Sequence, residues 1–155
     1  MAGNILLKEQ AIVTLTSTGA STVSGAASLV GTLDCRVGGN AADMFAALFS
    51  LTAQWATTTG IAAGTTIADL YLVPAIDGVN FPDIDTSAAS YIPFTMRAGT
   101  FVSPKALTAN QNYLFQSGVS ELMPVLYNVY LQNRSGQTIS ANWTVKALAA
   151  AAQYT

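Results

Sequence analysis

Histidine is absent from the 155 residues, and Cys35 is the single cysteine. Without imidazole the chain lacks the usual general base and the commonest transition-metal ligand. A lone thiol closes no intrachain disulfide and builds no zinc cluster. Charge is scarce as well: 6 basic and 8 acidic side chains make 9% of the chain, against about a quarter in an ordinary soluble domain. A net charge of -2 leaves no basic face to hold a nucleic-acid backbone. Although 51% of the residues are hydrophobic, no run reaches the ~18 apolar residues of a membrane span. The longest candidates, residues 44–51 and 146–152, are short or largely alanine. Lys8, Glu9 and Gln10 stand where a signal peptide places its apolar stretch, so synthesis in the cytosol is expected, with neither membrane nor nucleic acid as partner.

Thr, Ser, Asn, Gln and Gly are left to cover the outside. Bare neutral surfaces associate, so a skin of this kind suits a subunit whose exterior is occupied by neighbours. The plainer alternative is a monomeric β-domain with an uncharged surface.

Alternation with a period of two dominates the chain. Leu29, Gly31, Leu33, Cys35 and Val37 share one parity, with Thr32, Asp34 and Arg36 on the other, up to Gly38-Gly39. Val125, Tyr127, Val129 and Leu131 alternate with Asn128, Tyr130 and Gln132. After Asn133-Arg134-Ser135-Gly136, Ile139, Ala141, Trp143 and Val145 alternate with Ser140, Asn142, Thr144 and Lys146. Two alternating runs joined by such a turn predict a β-hairpin. Further strands are expected over residues 11–16, 66–74, 91–102 and 112–117, with Pro74, Pro93 and Pro124 at or near strand ends. Residues 40–55 satisfy a capped helix and a strand alike, but their aromatic and β-branched content favours a strand, with room for a helical turn over 41–44. The total is about eight strands, the pattern of a sandwich or barrel. Residues 1–10 read as an N-terminal arm or first edge strand, 11–148 as the sandwich domain and 149–155 as a C-terminal tail.

Chemistry-bearing patterns are weak. Asp77, Asp83 and Asp85 lie in one loop, but their spacing matches no EF-hand, and turn formation and solvation account for them. Ser103-Pro104-Lys105 lacks the spacing of a Ser-x-x-Lys motif. Gly38-Gly39 and Gly60 to Gly64 build no phosphate loop, and Asn133-Arg134-Ser135 and Asn142-Trp143-Thr144 are chance matches to a glycosylation pattern. Cys35 alternates onto an apolar face, as a small core residue does. No catalytic residue, cofactor or metal is expected. Trp143 has core-facing parity. Tyr130 has the opposite parity, and with Leu126 and Leu148 it predicts an apolar strip on an outer face; these three and Tyr154 are the candidate interface residues.

One further feature concerns two stretches. Asp69-Leu70-Tyr71-Leu72-Val73-Pro74-Ala75-Ile76-Asp77-Gly78-Val79-Asn80-Phe81 is a strand running into an Asp-Gly turn. It resembles small structural proteins of tailed bacteriophages, as does Leu122-Met123-Pro124…Tyr127…Leu131-Gln132-Asn133-Arg134-Ser135-Gly136-Gln137-Thr138. Together they look like capsid decoration (cement) proteins, over about residues 44–147. The resemblance implies an all-β, jelly-roll-like antiparallel β-sandwich of about eight strands, without enzymatic activity. Such a subunit would sit on the outer capsid surface of the virion, assembled in the host cytoplasm. It would tie major capsid protein neighbours together, itself a homodimer or homotrimer. Alternatives are another virion component (head–tail connector, tail or collar subunit) or a host-surface glycan-binding module using Phe81, Tyr91 and the neighbouring aspartates.

Overall fold

A computed structural model describes residues 5–9, 12–16, 19–42, 44–87, 92–93 and 96–154. The strands are β1 (Ile5–Glu9), β2 (Val13–Thr16), β3 (Ala27–Asp34), β4 (Met44–Ala53), β5 (Thr66–Ala75), β6 (Arg97–Val102), β7 (Tyr113–Glu121), β8 (Leu126–Asn133) and β9 (Thr144–Tyr154). In the first sheet β1 and β2 both pair with β9, which pairs with β4 and β4 with β7. The second runs β3-β8-β5-β6. Every pairing is antiparallel. β2 lies against residues 145–147 and β1 against 150–154, so the two share one edge position and each sheet is four positions wide. The order β2-β9-β4-β7 facing β3-β8-β5-β6 is that of a jelly roll.

The expected C-terminal hairpin does not form. β8 belongs to the second sheet and β9 to the first, so residues 134–143 cross from sheet to sheet over one end of the sandwich. Both strands bury the parity that the alternation indicates, Tyr127, Val129 and Leu131 in β8 and Val145, Ala147 and Ala149 in β9. Alternation reports which side is buried, and a strand facing across the core satisfies it as well as a strand alongside.

β3 departs from its simple parity. Its register with β8 shifts between Leu29 and Gly31, which turns Leu29 outward (55% exposed) and Val30 inward (5%) before Leu33 and Cys35 continue the buried row. The bulge sits at a glycine for a steric reason. Gly31 has φ +153°, and a Cβ there would meet the Leu15 carbonyl oxygen at 2.7 Å. Residues 44–53 form a strand, as their aromatic content favours, preceded by tight turns in which the Ala42 and Met44 amides donate to the Gly39 and Ala41 carbonyls. Among the described residues of 91–102 only β6 is strand; residues 91, 94 and 95 lie outside the described residues.

Residues 149–154 are not a tail. They continue β9, with Ala149 2% exposed. Alanine offers little area, but β9 is laddered on both sides, and main-chain bonding places it regardless of side-chain size. The core lies between the sheets, with Phe49, Leu51, Leu70, Phe101, Leu131 and Val145 each at 0% exposure.

Candidate functional site

The jelly-roll path gathers the loops at two ends. The connections β2–β3, β4–β5, β6–β7 and β8–β9 meet at one, and β3–β4, β5–β6 and β7–β8 at the other.

The first end is locked by buried polar bonds. Asn133, 0% exposed, donates from Nδ2 to the Thr22 and Gln137 carbonyls at 2.8 and 2.7 Å, and its Oδ1 accepts from the Ser135 amide at 3.0 Å. Trp55 Nε1 donates to Ser135 Oγ at 3.1 Å, and Trp143 Nε1 to the Ala20 carbonyl at 2.7 Å. Trp143 is 2% exposed, the core position its parity indicates. Gly19 lies flat on its indole: a Cβ there would come within 2.0 Å of the ring. Asn133 is therefore no glycosylation acceptor, since its amide is enclosed and fully bonded.

The second end is built in the opposite sense. Arg36 is clamped by Asp34, its Nε and Nη2 each 2.8 Å from a carboxylate oxygen, while Nη1 donates to the Gly78 carbonyl at 2.7 Å. That bond ties the β3–β4 loop to the β5–β6 loop. The Asp34 carboxyl is held below its ordinary range by the Arg36 guanidinium bonded to it. Asp77 closes its own turn: Oδ1 accepts from the Val79 and Asn80 amides at 3.0 and 2.7 Å, and Oδ2 from Asn80 Nδ2 at 2.6 Å. Those donors hold the Asp77 carboxyl down at about 2. In the β7–β8 loop the Met123 amide donates to the buried Tyr127 hydroxyl at 2.9 Å.

On these polar frames stand bare apolar side chains. Val37 is 95% exposed, Ile76 88%, Val79 74% and Met123 59%. A cleft of about 690 Å³ opens beside them between the β6 and β7 edges, lined by Leu72, Pro74, Met96, Leu122, Met123 and Tyr127 among others. Such an end suits burial against a partner surface, because its turns are held by their own hydrogen bonds and its side chains are already desolvation-ready.

The candidate interface residues do not form one strip. Leu126 and Tyr130 belong to the second sheet, Leu148 and Tyr154 to the first. Tyr130 does project outward, but it is only 9% exposed: it packs with Tyr71, Val73 and Ile92, and Ile84 and Met96 from the β5–β6 connection pack onto that cluster. Its hydrophobic face is consumed within the chain. Leu126 is half-buried at the start of β8, and Leu148 is half-buried on the outer side of the first sheet. The Tyr154 side chain lies outside the described residues, its backbone pairing with Ile5.

The other sequence candidates resolve into structural roles. Ser103 Oγ donates to the Lys105 carbonyl at 2.6 Å, and the Lys105 ammonium stands 5.6 Å above the Tyr113 ring, so neither is aimed at the other as nucleophile and base. Asp85 accepts from the Ser87 amide at 2.8 Å. Among the described residues no three His, Cys, Asp or Glu side chains converge as metal ligands. Cys35 is 1% exposed, and burial, with the Asp34 charge second, pushes its thiol up to about 11.

Sequence reasoning placed Val37 on the apolar parity of a strand, whereas β3 ends at Asp34 and leaves it 95% exposed in the following loop; it passed over Ile76, Val79 and Met123 as surface residues. A signal was present: Ile76 and Val79 bracket Asp77-Gly78, and Val37 precedes Gly38-Gly39, so large apolar residues occupy turns where polar ones are usual. No protein-family model matches the sequence, and no curated protein matches it.

Proposed function

We propose that this chain is a non-enzymatic virion subunit, a decoration protein that sits on the outer surface of a phage capsid and bridges major capsid proteins. The observation that carries the reading is the loop end at which the apolar Val37, Ile76, Val79 and Met123 stand exposed on hydrogen-bonded turns, beside the paired Asp34 and Arg36 and the turn-closing Asp77. The stretch 69–81, which resembles phage structural proteins, is β5 and its apolar turn, so the resemblance and the exposed end coincide in space. The jelly roll is compatible, being common among capsid and lectin domains, but fold alone does not assign a role.

Burying an apolar side chain of this size is worth about 1.5–3 kcal/mol, so four supply roughly 6–12 kcal/mol before the ~4–15 kcal/mol cost of association. One tip therefore holds weakly, and firm attachment follows when linked tips engage neighbouring capsid subunits together. Bridging of this kind opposes the outward pressure of packaged DNA by adding interface across the joints of the shell.

The reading predicts a major capsid protein gene in the neighbourhood of this one, and shells assembled from that gene's product provide the test. Purified chain should co-sediment with them to a saturating occupancy set by shell symmetry, far above the about six or twelve copies of a connector ring. Val37→Asp combined with Ile76→Asp should abolish that binding while the melting curve stays in place, since exposed substitutions shift stability by only about 0.5 kcal/mol. Ring-like stoichiometry, or undiminished binding by the double variant, would overturn the proposal.

A further inference from the structure

The two outer sheet faces differ in one respect that points to a second partner surface. The middle of the second sheet's face is covered by the chain's own Ile84, Ile92 and Met96, with Leu29 open at its β3 edge, whereas on the first sheet Val119 at 71% exposure and Leu114 at 64% have no such cover. Register aligns Leu148, Leu48 and Val119 in one row across β9, β4 and β7. These three strands contain two charged residues between them, Lys146 and Glu121, both exposed. Lys146 stands beside Ser50, and Glu121 beside Ala46, on opposite sides of the Leu48 row and on opposite flanking strands. With strands about 4.8 Å apart and two residues spanning about 6.8 Å, each charge lies roughly 8 Å from Leu48, at opposite corners of an apolar centre. The ion pairs of the described residues engage Asp34, Arg36, Asp69, Arg97 and Arg134, and neither of these two.

A face with opposite charges at diagonal corners is complementary to itself. Turn a copy over about an axis parallel to the sheet and just outside it, passing over Leu48 and perpendicular to the Lys146–Glu121 diagonal. The Lys146 of each copy then stands over the Glu121 of the other, twice, with Leu48, Leu148 and Val119 closed between them. We propose that the chain forms an isologous two-fold dimer through the outer face of its first sheet, with the Lys146–Glu121 diagonal setting the register. Size is adequate: four strand positions of about nine residues project roughly 600 Å² per copy before side-chain relief is added, near the ~800 Å² per partner of a standard interface. The dimer contact leaves Val37, Ile76 and Val79 free, while its Glu121 corner adjoins the cleft beside Met123, and it rests on no premise of the shell-docking reading.

Sedimentation equilibrium of the purified full-length chain, across about 1–100 μM, tests it. Wild type should dimerise. Lys146→Glu sets like charges at both contacts and should weaken dimerisation about tenfold, whereas Lys146→Glu combined with Glu121→Lys should return it to within about threefold of wild type. Leu48→Arg, outward on the same face, should leave a folded monomer by circular dichroism. A monomeric wild type, or a Lys146→Glu variant that dimerises like wild type, would overturn the dimer. The Val37→Asp/Ile76→Asp variant should still dimerise, so failure of shell binding and failure of self-association are read separately.

Discussion

The two ends of the sandwich use hydrogen bonding to opposite purposes. At the end holding Asn133, Trp55 and Trp143, polar groups are enclosed and bond across connections far apart in sequence, as when Asn133 reaches Thr22 and Trp143 reaches Ala20. At the end holding Arg36 and Asp77, the polar groups mostly bond within their own turns, and the apolar side chains are the ones left in solvent. A buried polar bond broken on one side leaves an unsatisfied partner, so the first end is costly to disturb and keeps the sheets in place. An exposed turn satisfied by its own residues tolerates change, so the second end is where a surface can vary without endangering the fold.

The sharpest way to break this contrast is at Trp143. Trp143→Ala should destabilise the protein by about 3–5 kcal/mol in chemical denaturation, as large aromatic truncations in cores do. A transition midpoint equal to wild type would remove the indole from its structural role. Next comes Asn133→Ala, which takes one donor from each of the Thr22 and Gln137 carbonyls and deprives the buried Ser135 amide of its acceptor, and should cost roughly 1–3 kcal/mol by the same measurement. A loss smaller than that of an exposed asparagine such as Asn80 would mean the two ends do not differ.

The smallest effect belongs to Asp77 at the exposed end, and it has a sign. Its carboxyl titrates in the folded chain at about 2, below the ordinary 3.8, so its contribution is present above the ordinary value and is lost as pH falls through about 2. Asp77→Asn keeps oxygen and amide in the turn but removes the titration. Denaturation midpoints of the variant should therefore fall less steeply than wild type between pH 4 and 2, with wild type the more stable at pH 7 and the difference closing toward pH 2. Parallel slopes would show that the turn bonds do not hold the carboxylate.

A second contrast, between the outer faces, follows the same logic. Tyr130 was readable from parity as outward, yet the covering of its face by Ile84, Ile92 and Met96 involves residues some 40 positions away, with no periodic signal to announce them. Leu148 carries the same outward parity and meets no such cover. Parity distinguishes the inside of a sheet from its outside. It does not distinguish an outside in water from one beneath a loop.

How far the candidate surface was legible varies by residue. Trp143 and Cys35 were readable as core because alternation and burial agree locally. Val37, Ile76, Val79 and Met123 were not, because they stand in three separate loops, and only the crossing of strands between sheets brings those loops to one end. The hairpin expected between β8 and β9 failed for a related reason. The Asn133–Gly136 segment has turn chemistry, but its asparagine bonds to Thr22 and Gln137, and the connection crosses the end of the sandwich.

Residue type and period alone determined that the chain is all-β, that its strands bury one parity, and that it is poor in the groups most reaction chemistry needs. Those properties are local: they follow from which side chains prefer water and from the two-residue repeat of an extended backbone. Strand partnership, the bulge at Gly31, the central place of an alanine-rich β9 and the gathering of apolar loop tips were decided by tertiary structure. Main-chain ladders are nearly blind to side-chain identity, so which strand lies beside which is settled only when the whole core closes.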